Sequence, residues 1–498
     1  MPGSEPVLDL LGTGPGRAAG FIERHGLWDD VRYAAAAQAQ RIVDERGIEL
    51  VRLSFPDQHG LLRGKTLTRE AFFSALRGGT TAPSTLVVKD TACKTIYSVF
   101  EAGGSIGIEQ MEGAGDLLLV PDPTTFRVLP WAPRTAWALC DIHFPDGRPV
   151  PFSTRHLLAD QLAGLAARGY ELVVGLEVEF HLFRADDAAA LTHADVGQPG
   201  TPAEVAPVSR GYQLLLEDQI DPLDDVVQAL RDGLVGLGLP LLSIEHEFGP
   251  SQLELTFAPQ SAMKAADDMV LCRSAVKQLC RRLGYHATFM CRPNFPDLAS
   301  SGWHLHQSLR AVGGGENAFM APLGAAERLS SLGQSYLAGL LEHARGATVF
   351  STPTINGYKR YRPMSLAPDR IVWGEDNKGA MIRVVGGPGD RATRLENRSG
   401  EPAANPYLYI ASQLVCGLDG VDRGLVPAAP TAQPYGADAP RLPASLMEAL
   451  DAFAADPVFA ERLGRWFVDY LIALKRFEVD RWLAAVTDWE QREYFQIF

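Results

Sequence analysis

Four runs of strand length in this chain carry strongly polar side chains two residues apart. Glu177 and Glu179 do so in GLEVEFHLF, Gln252 and Glu254 in SQLELTF, His304 and His306 in GWHLHQSL, and Arg394, Glu396 and Arg398 in TRLENRS. Side chains alternate across a β-strand, so residues i and i+2 share a face. In most of these runs the alternate positions are apolar. The pattern therefore predicts strands with a packed core behind and a charged face in front.

Taken singly, each pair is also what a solvated strand face would show, and a surface ladder of Arg and Glu contributes little. Taken together, they offer several carboxylates and a histidine to hard divalent cations such as Mg²⁺ or Mn²⁺. They also offer arginines to phosphate oxygens. Two such ions with arginine clamps meet the needs of phosphoryl transfer, whose catalysis is mostly positioning and charge neutralisation. A second basic region adds Lys359, Arg360 and Arg362 in NGYKRYRP, and Lys378 and Arg383 in DNKGAMIRVV. Arginine suits a bidentate grip on carboxylate or phosphate. The constellation points to nucleotide chemistry.

Composition narrows the partners. The chain has 498 residues and a formal charge of −14, which argues against a non-specific nucleic-acid binder. A local arginine cluster can still bind a small anion on an acidic protein. The six cysteines (Cys93, Cys140, Cys272, Cys280, Cys291, Cys416) are too scattered for a disulfide scaffold or structural zinc. No basic segment leads into an apolar one at the start, and no apolar run reaches the ~20 residues that span a bilayer. The expectation is a reduced, soluble, cytoplasmic protein without a membrane partner.

Residues 1–45 read as an Ala-rich, partly helical extension. Short apolar runs punctuated by Gly, Pro and Asp (GIELVRLSFPD, HGLLRGKTL, STLVVKD, DLLLVPD, TAWALCDIHF) then predict a small β-rich domain over 46–148. From 149 to 498, helical and strand patterns alternate and end in a mostly helical tail. The fold class is α+β.

In order along the chain stand E-x-E, E-x-x-P-x-Q-x-E, G-x-H-x-H-x-S, N-x-Y-K-R and R-x-E-x-R followed by PAANPYL. This set resembles the glutamine synthetase family, and the match runs over essentially all of 46–498. The resemblance implies a small N-terminal β-grasp-like domain and a large catalytic domain with a curved antiparallel sheet flanked by helices. It implies one metal on Glu179, Glu247 and Glu254, and a second on Glu177, His304 and Glu396. His306 and Ser308 would approach ATP, with Lys378, Arg383 and Arg394 at its phosphates. Arg360 and Arg398 would grip L-glutamate and its acyl phosphate. The implied reaction forms γ-glutamyl phosphate from glutamate and ATP, and an amine then displaces phosphate. A ring-type homo-oligomer, a dodecamer in the family, is implied as well.

Two departures bear on the acceptor. Family members that use ammonia continue from N-x-Y-K-R to P-G-Y-E-A-P, and that Glu helps close the site and deprotonate ammonium. Here the segment is YKRYRPMSLAP, with Leu366 at the Glu position. Lys378 stands where the family has an Arg, which keeps the charge but loses the planar fork. Asp90 is expected as the remaining anchor for an ammonium ion. A cation buried without a partner is costly, so Leu366 favours a neutral amine with an apolar or aromatic body, of the aniline type. Trp303 or Trp373 would add to its slot. The alternatives are a polyamine, alkylamine or ethanolamine acceptor, and then ammonia itself. A non-catalytic scaffold would show eroded ligands, yet all six ligand positions hold Glu or His.

Overall fold

A computed structural model describes residues 19–498 except 102, 105, 186–192, 194–195 and 198. The described chain divides into two compact units. One comprises residues up to Val87 with Ser98–His156 and Val235–Gly238, and the other comprises Val88–Tyr97, Leu157–Leu234 and Leu239–Phe498.

The first unit is built on a sheet of β1 (Leu50–Pro56), β2 (Leu62–Thr68), β3 (Thr80–Pro83), β4 (Asp116–Pro121), β5 (Arg127–Val128) and β6 (Thr135–His143). The order is β2-β1-β6-β4-β3, with β5 on β6 and a single parallel pairing, β1 with β6. STLVVKD is not a strand. Thr80–Pro83 makes the ladder with β4, and Ser84–Val88 coils into a 3₁₀ turn that still buries Val87 and Val88. Short apolar runs report burial and not period, which is why the sequence misled here. The expected extension contributes a helix at Asp30–Glu45 that belongs to this unit; residues 1–18 lie outside the described residues. The Trp28 indole donates to the Pro121 carbonyl, and Arg32 pairs with Asp122 and Asp141.

The second unit holds the larger sheet: β7 (Tyr170–Ala185), β8 (Val205–Pro207), β9 (Leu241–His246), β10 (Gln252–Phe257), β11 (Gln260–Ser261), β12 (Tyr285–Thr288), β13 (Trp303–Ala311), β14 (Trp373–Glu375), β15 (Ile382–Val385) and β16 (Arg394–Gly400). Its order is β14-β15-β16-β13-β7-β10-β9, with β8, β11 and β12 also on β7. All pairings are antiparallel except β14 with β15 at the edge.

The PAANPYL motif explains how the back of this sheet is held. Asn405 caps the helix Pro406–Asp422 by accepting the Tyr407 amide, and Pro406 sits at its first turn, where its missing N–H costs nothing. That helix carries Gln413, whose Oε1 accepts from both Gln307 on β13 and Asn397 on β16 at 2.9 Å. Tyr336 donates to Gln307 from a neighbouring helix. Gln307, Asn397, Gln413 and Tyr336 are thus joined in one buried network, which fixes two strands side by side. No helix among the described residues is long and apolar enough to cross a membrane.

Candidate active site

Strand register gathers the polar positions. With β7 at the centre, β10 sets Glu254 opposite Glu179, and β13 sets His304 opposite Glu177. β16 sets Glu396 opposite His306, and β15 sets Arg383 opposite Glu396. Directly opposed side chains on one face stand ~5 Å apart at Cβ, near enough to share an ion.

The contacts follow. His304 Nδ1 lies 2.6 Å from Glu177 Oε1, and His306 Nε2 lies 3.1 Å from Glu177 Oε2. One donor atom each from Glu177, His304 and Glu396 falls within 4.8 Å of the others, and so do atoms of Glu179, Glu254 and His304. Glu247 stands just past the end of β9, is half-buried, and is not among either group.

Electrostatics tell the two groups apart. Burial and then the charge of Glu247 push Glu179 up to about 8, and burial and then Glu177 push Glu254 up to about 10. Burial also works against Glu177, yet hydrogen bonds from His304 and His306 hold it well below the usual carboxylate range. Burial and Arg398 lower His304 to about 4, so its ring is neutral near pH 7. Carboxylates crowded this closely, beside a neutral imidazole, are a donor set that fits hard divalent cations. A cation would relieve the repulsion that raises Glu179 and Glu254.

Arginines close the other side. Arg383 Nη1 reaches Glu396 Oε2 at 2.8 Å and its Nε reaches Asp376 at 2.9 Å. Arg398 pairs with Glu396 and donates from Nε to the Lys378 carbonyl. Arg394 Nε lies 3.1 Å from His306 Nδ1, and Arg360 donates to the Arg398 carbonyl at 2.9 Å. A cavity of about 460 Å³ opens beside Arg394, lined by the polar Glu177, His306 and Ser308 and by the apolar Leu242 and Phe257. That pairing of surfaces suits a nucleotide, with phosphates on the polar side.

Residues 151–494 match the family described as glutamine synthetase, catalytic domain. The chain belongs to the glutamine synthetase family. It is 42% identical to a gamma-glutamylanilide synthase of an Acinetobacter species, over 96% of this chain and 99% of that protein. It is 34% identical to a gamma-glutamylethanolamide synthetase of Streptomyces coelicolor (90% and 93% covered) and 31% identical to a glutamate–isopropylamine ligase of a Pseudomonas species (91% and 96%). The solved structure of GmaS without ligand superimposes with a TM-score of 0.76 at 29% identity, covering 92% of this chain and 99% of that one.

Within this glutamine synthetase fold, some expected site residues stand apart. Trp303 does not face the site: alternation along β13 sends it to the side opposite His304, where it is fully buried edge-on to Tyr409. It is a core residue and not part of an amine slot. Asp90 is fully buried, with one oxygen 2.9 Å from Arg481 Nε and the other accepting the Lys94 amide. Its charge is answered by Arg481. Leu366 lies in the loop after Arg360 at φ 61° and is 57% exposed, and Lys378 is exposed at the side chain. Tyr435 ties that loop down by donating to the Ala367 carbonyl. Trp373, on the edge strand β14, donates to the Ala428 carbonyl.

Three contributors had no role assigned in the sequence reading, although Gln252 was placed on the charged face there. Gln252 Nε2 and the Gly302 amide both donate to Glu179 Oε2, at 2.7 and 2.9 Å. Asp376 flanks Arg383. Gln252 and Gly302 are fixed letters of the motifs already quoted, so the signal was present. Asp376 has none in the sequence.

Proposed function

We propose that this protein is an ATP-dependent ligase that joins the γ-carboxylate of L-glutamate to an organic amine with an apolar or aromatic body, of the aniline type. One observation carries the reading. The sheet face that gathers Glu177, Glu179, Glu254, His304 and Glu396 is bordered by Arg360, Arg383, Arg394 and Arg398, while the position of the ammonium-binding Glu is an exposed Leu366. The similarity to a gamma-glutamylanilide synthase supports the aromatic acceptor. The ethanolamide and isopropylamine relatives support a small alkylamine as the second reading.

The two donor groups would hold two Mg²⁺ or Mn²⁺ ions, which when bound neutralise phosphate charge. Glu247 would complete the second group. Arg360 and Arg398 would orient glutamate so that its γ-carboxylate oxygen attacks the terminal phosphorus of ATP, forming an O–P bond as the bond to ADP breaks. His306, Ser308, Lys378, Arg383 and Arg394 would hold the phosphates. The amine nitrogen then attacks the γ-carbon, the C–O bond to phosphate breaks, and a proton leaves the nitrogen. An arylamine arrives neutral, so the site needs no carboxylate to receive a cation. A cytoplasmic ring-type homo-oligomer is the assembly expected of such a chain, a dodecamer by family precedent.

The chemistry is tested by oxygen transfer. With glutamate labelled by ¹⁸O in its γ-carboxylate, each phosphate released in the presence of amine should carry one label. Unlabelled phosphate would overturn the acyl-phosphate route.

A further inference from the structure

The nucleotide cavity opens at the Val173–Glu177 end of β7, and the carboxylate groups follow at Glu177 and Glu179. Residues on one face of a strand are about 7 Å apart. The amine nitrogen must reach the γ-carbon from a side that the phosphate does not occupy. On the ligase reading above, the amine therefore arrives at the Glu179 end of β7, away from the nucleotide.

Two segments are fastened to Glu179 at that end. In the turn after β9, the Gly249 amide donates to Gln252 Oε1 at 2.9 Å, and Gln252 Nε2 donates to Glu179. In the segment before β13, the Gly302 amide donates to the same carboxylate oxygen. The segments touch, since a Cβ at Gly249 would fall 2.7 Å from that of Ala299. The first carries Phe248, 41% exposed, and a third segment, the loop between β8 and the helix Asp224–Gly236, carries Tyr212, 48% exposed. The ring centroids are 4.9 Å apart and tilted by 47°. The Tyr212 hydroxyl donates to the Asp297 carbonyl, which braces its ring against the second segment.

We propose that Phe248, braced by Tyr212, is the acceptor-discriminating wall of the active site, receiving the uncharged ring of an arylamine whose nitrogen points at the carboxylate end. The inference rests on the ligase reading. Glu247 precedes Phe248 directly and accepts the Phe248 amide at 2.7 Å, and Gly249 on the other side is tied through Gln252 to Glu179, so Phe248 belongs to the turn that borders the carboxylate cluster. Rings prefer offset or edge-on partners at such spacing. The wall offers no carboxylate of its own to an alkylammonium.

The test compares acceptors in Phe248→Ala, with glutamate and ATP saturating. The expected result is a fall of about tenfold or more in kcat/KM for aniline, with isopropylamine and ammonium changed less than about threefold. Phe248→Leu keeps bulk without a ring face, should fall between, and carries the test if the alanine variant unfolds. An equal fall for every acceptor, or none for aniline, overturns the inference. If the wild-type enzyme uses no amine at all, the ligase reading fails and the inference with it. If the wild type uses aniline and both variants use it equally well, the inference alone fails.

Discussion

Gly302 and Arg360 are packed so closely that a Cβ at position 302 would lie 2.5 Å from Arg360 Nη2. The same glycine gives its amide to Glu179. One residue therefore touches both a carboxylate of the proposed cation site and the guanidinium expected to grip glutamate, and no side chain can stand there without shifting that guanidinium.

Gly302→Ala should therefore raise the KM for glutamate and lower kcat/KM by about 100-fold, the usual cost of misplacing a catalytic group by an ångström. The KM for ATP should change little, because the cavity proposed for the nucleotide is lined further along β7. Steady-state kinetics with each substrate varied in turn checks this split.

The cation site gives a graded prediction. Gln252→Ala removes a partner of Glu179 and should weaken Mn²⁺ binding by ~10–100-fold, the range seen when an outer hydrogen bond is lost. Glu254→Gln removes the charge of a proposed ligand itself and should weaken it further. A chelator should abolish activity, and Mg²⁺ or Mn²⁺ should restore it. Titration of Mn²⁺ followed by calorimetry ranks the variants.

The acceptor can be pushed the other way. Leu366→Glu supplies the missing carboxylate, and should raise the ratio of ammonium to aniline kcat/KM by about tenfold, roughly 1.4 kcal/mol of charge pairing. An unchanged ratio would mean that position 366 does not face the amine.

Outside the site, His343 bridges Asp456 and Asp419 at 2.8 Å on either side of its ring. Burial opposes its charge, but the two carboxylates win and hold its pKa above the ordinary 6.5. The unfolded ring titrates near 6.5, so the stabilisation is complete below that pH and is lost as pH rises through the higher folded value. Asp456 also caps the helix Pro457–Leu463, so the helical tail should loosen as this charge goes. His343→Gln should cost about 2 kcal/mol at pH 6 and progressively less at higher pH. Thermal unfolding between pH 6 and 9 measures both.

Much of the site was legible because strand alternation is a strict period. Glu177 with Glu179, and His304 with His306, needed only to be two apart to share a face. The same rule, applied one residue further, would have sent Trp303 into the core. What lay beyond local pattern was register and loop position. Nothing in the sequence tells that Glu247 falls past the end of β9, that Arg481 answers Asp90, or that Asp376 reaches Arg383. Those depend on where distant segments come to rest, as do Phe248 and Tyr212, thirty-six residues apart in the chain and ring to ring in the fold.

The central claim is that this glutamine synthetase fold serves an apolar amine in place of ammonia. Glutamate-dependent phosphate release from ATP, measured with aniline, isopropylamine, ethanolamine, putrescine and ammonium in turn, tests it directly. The account predicts the highest kcat/KM with aniline, and γ-glutamylanilide as the product. Ammonium as the best acceptor, with glutamine as the product, would contradict it.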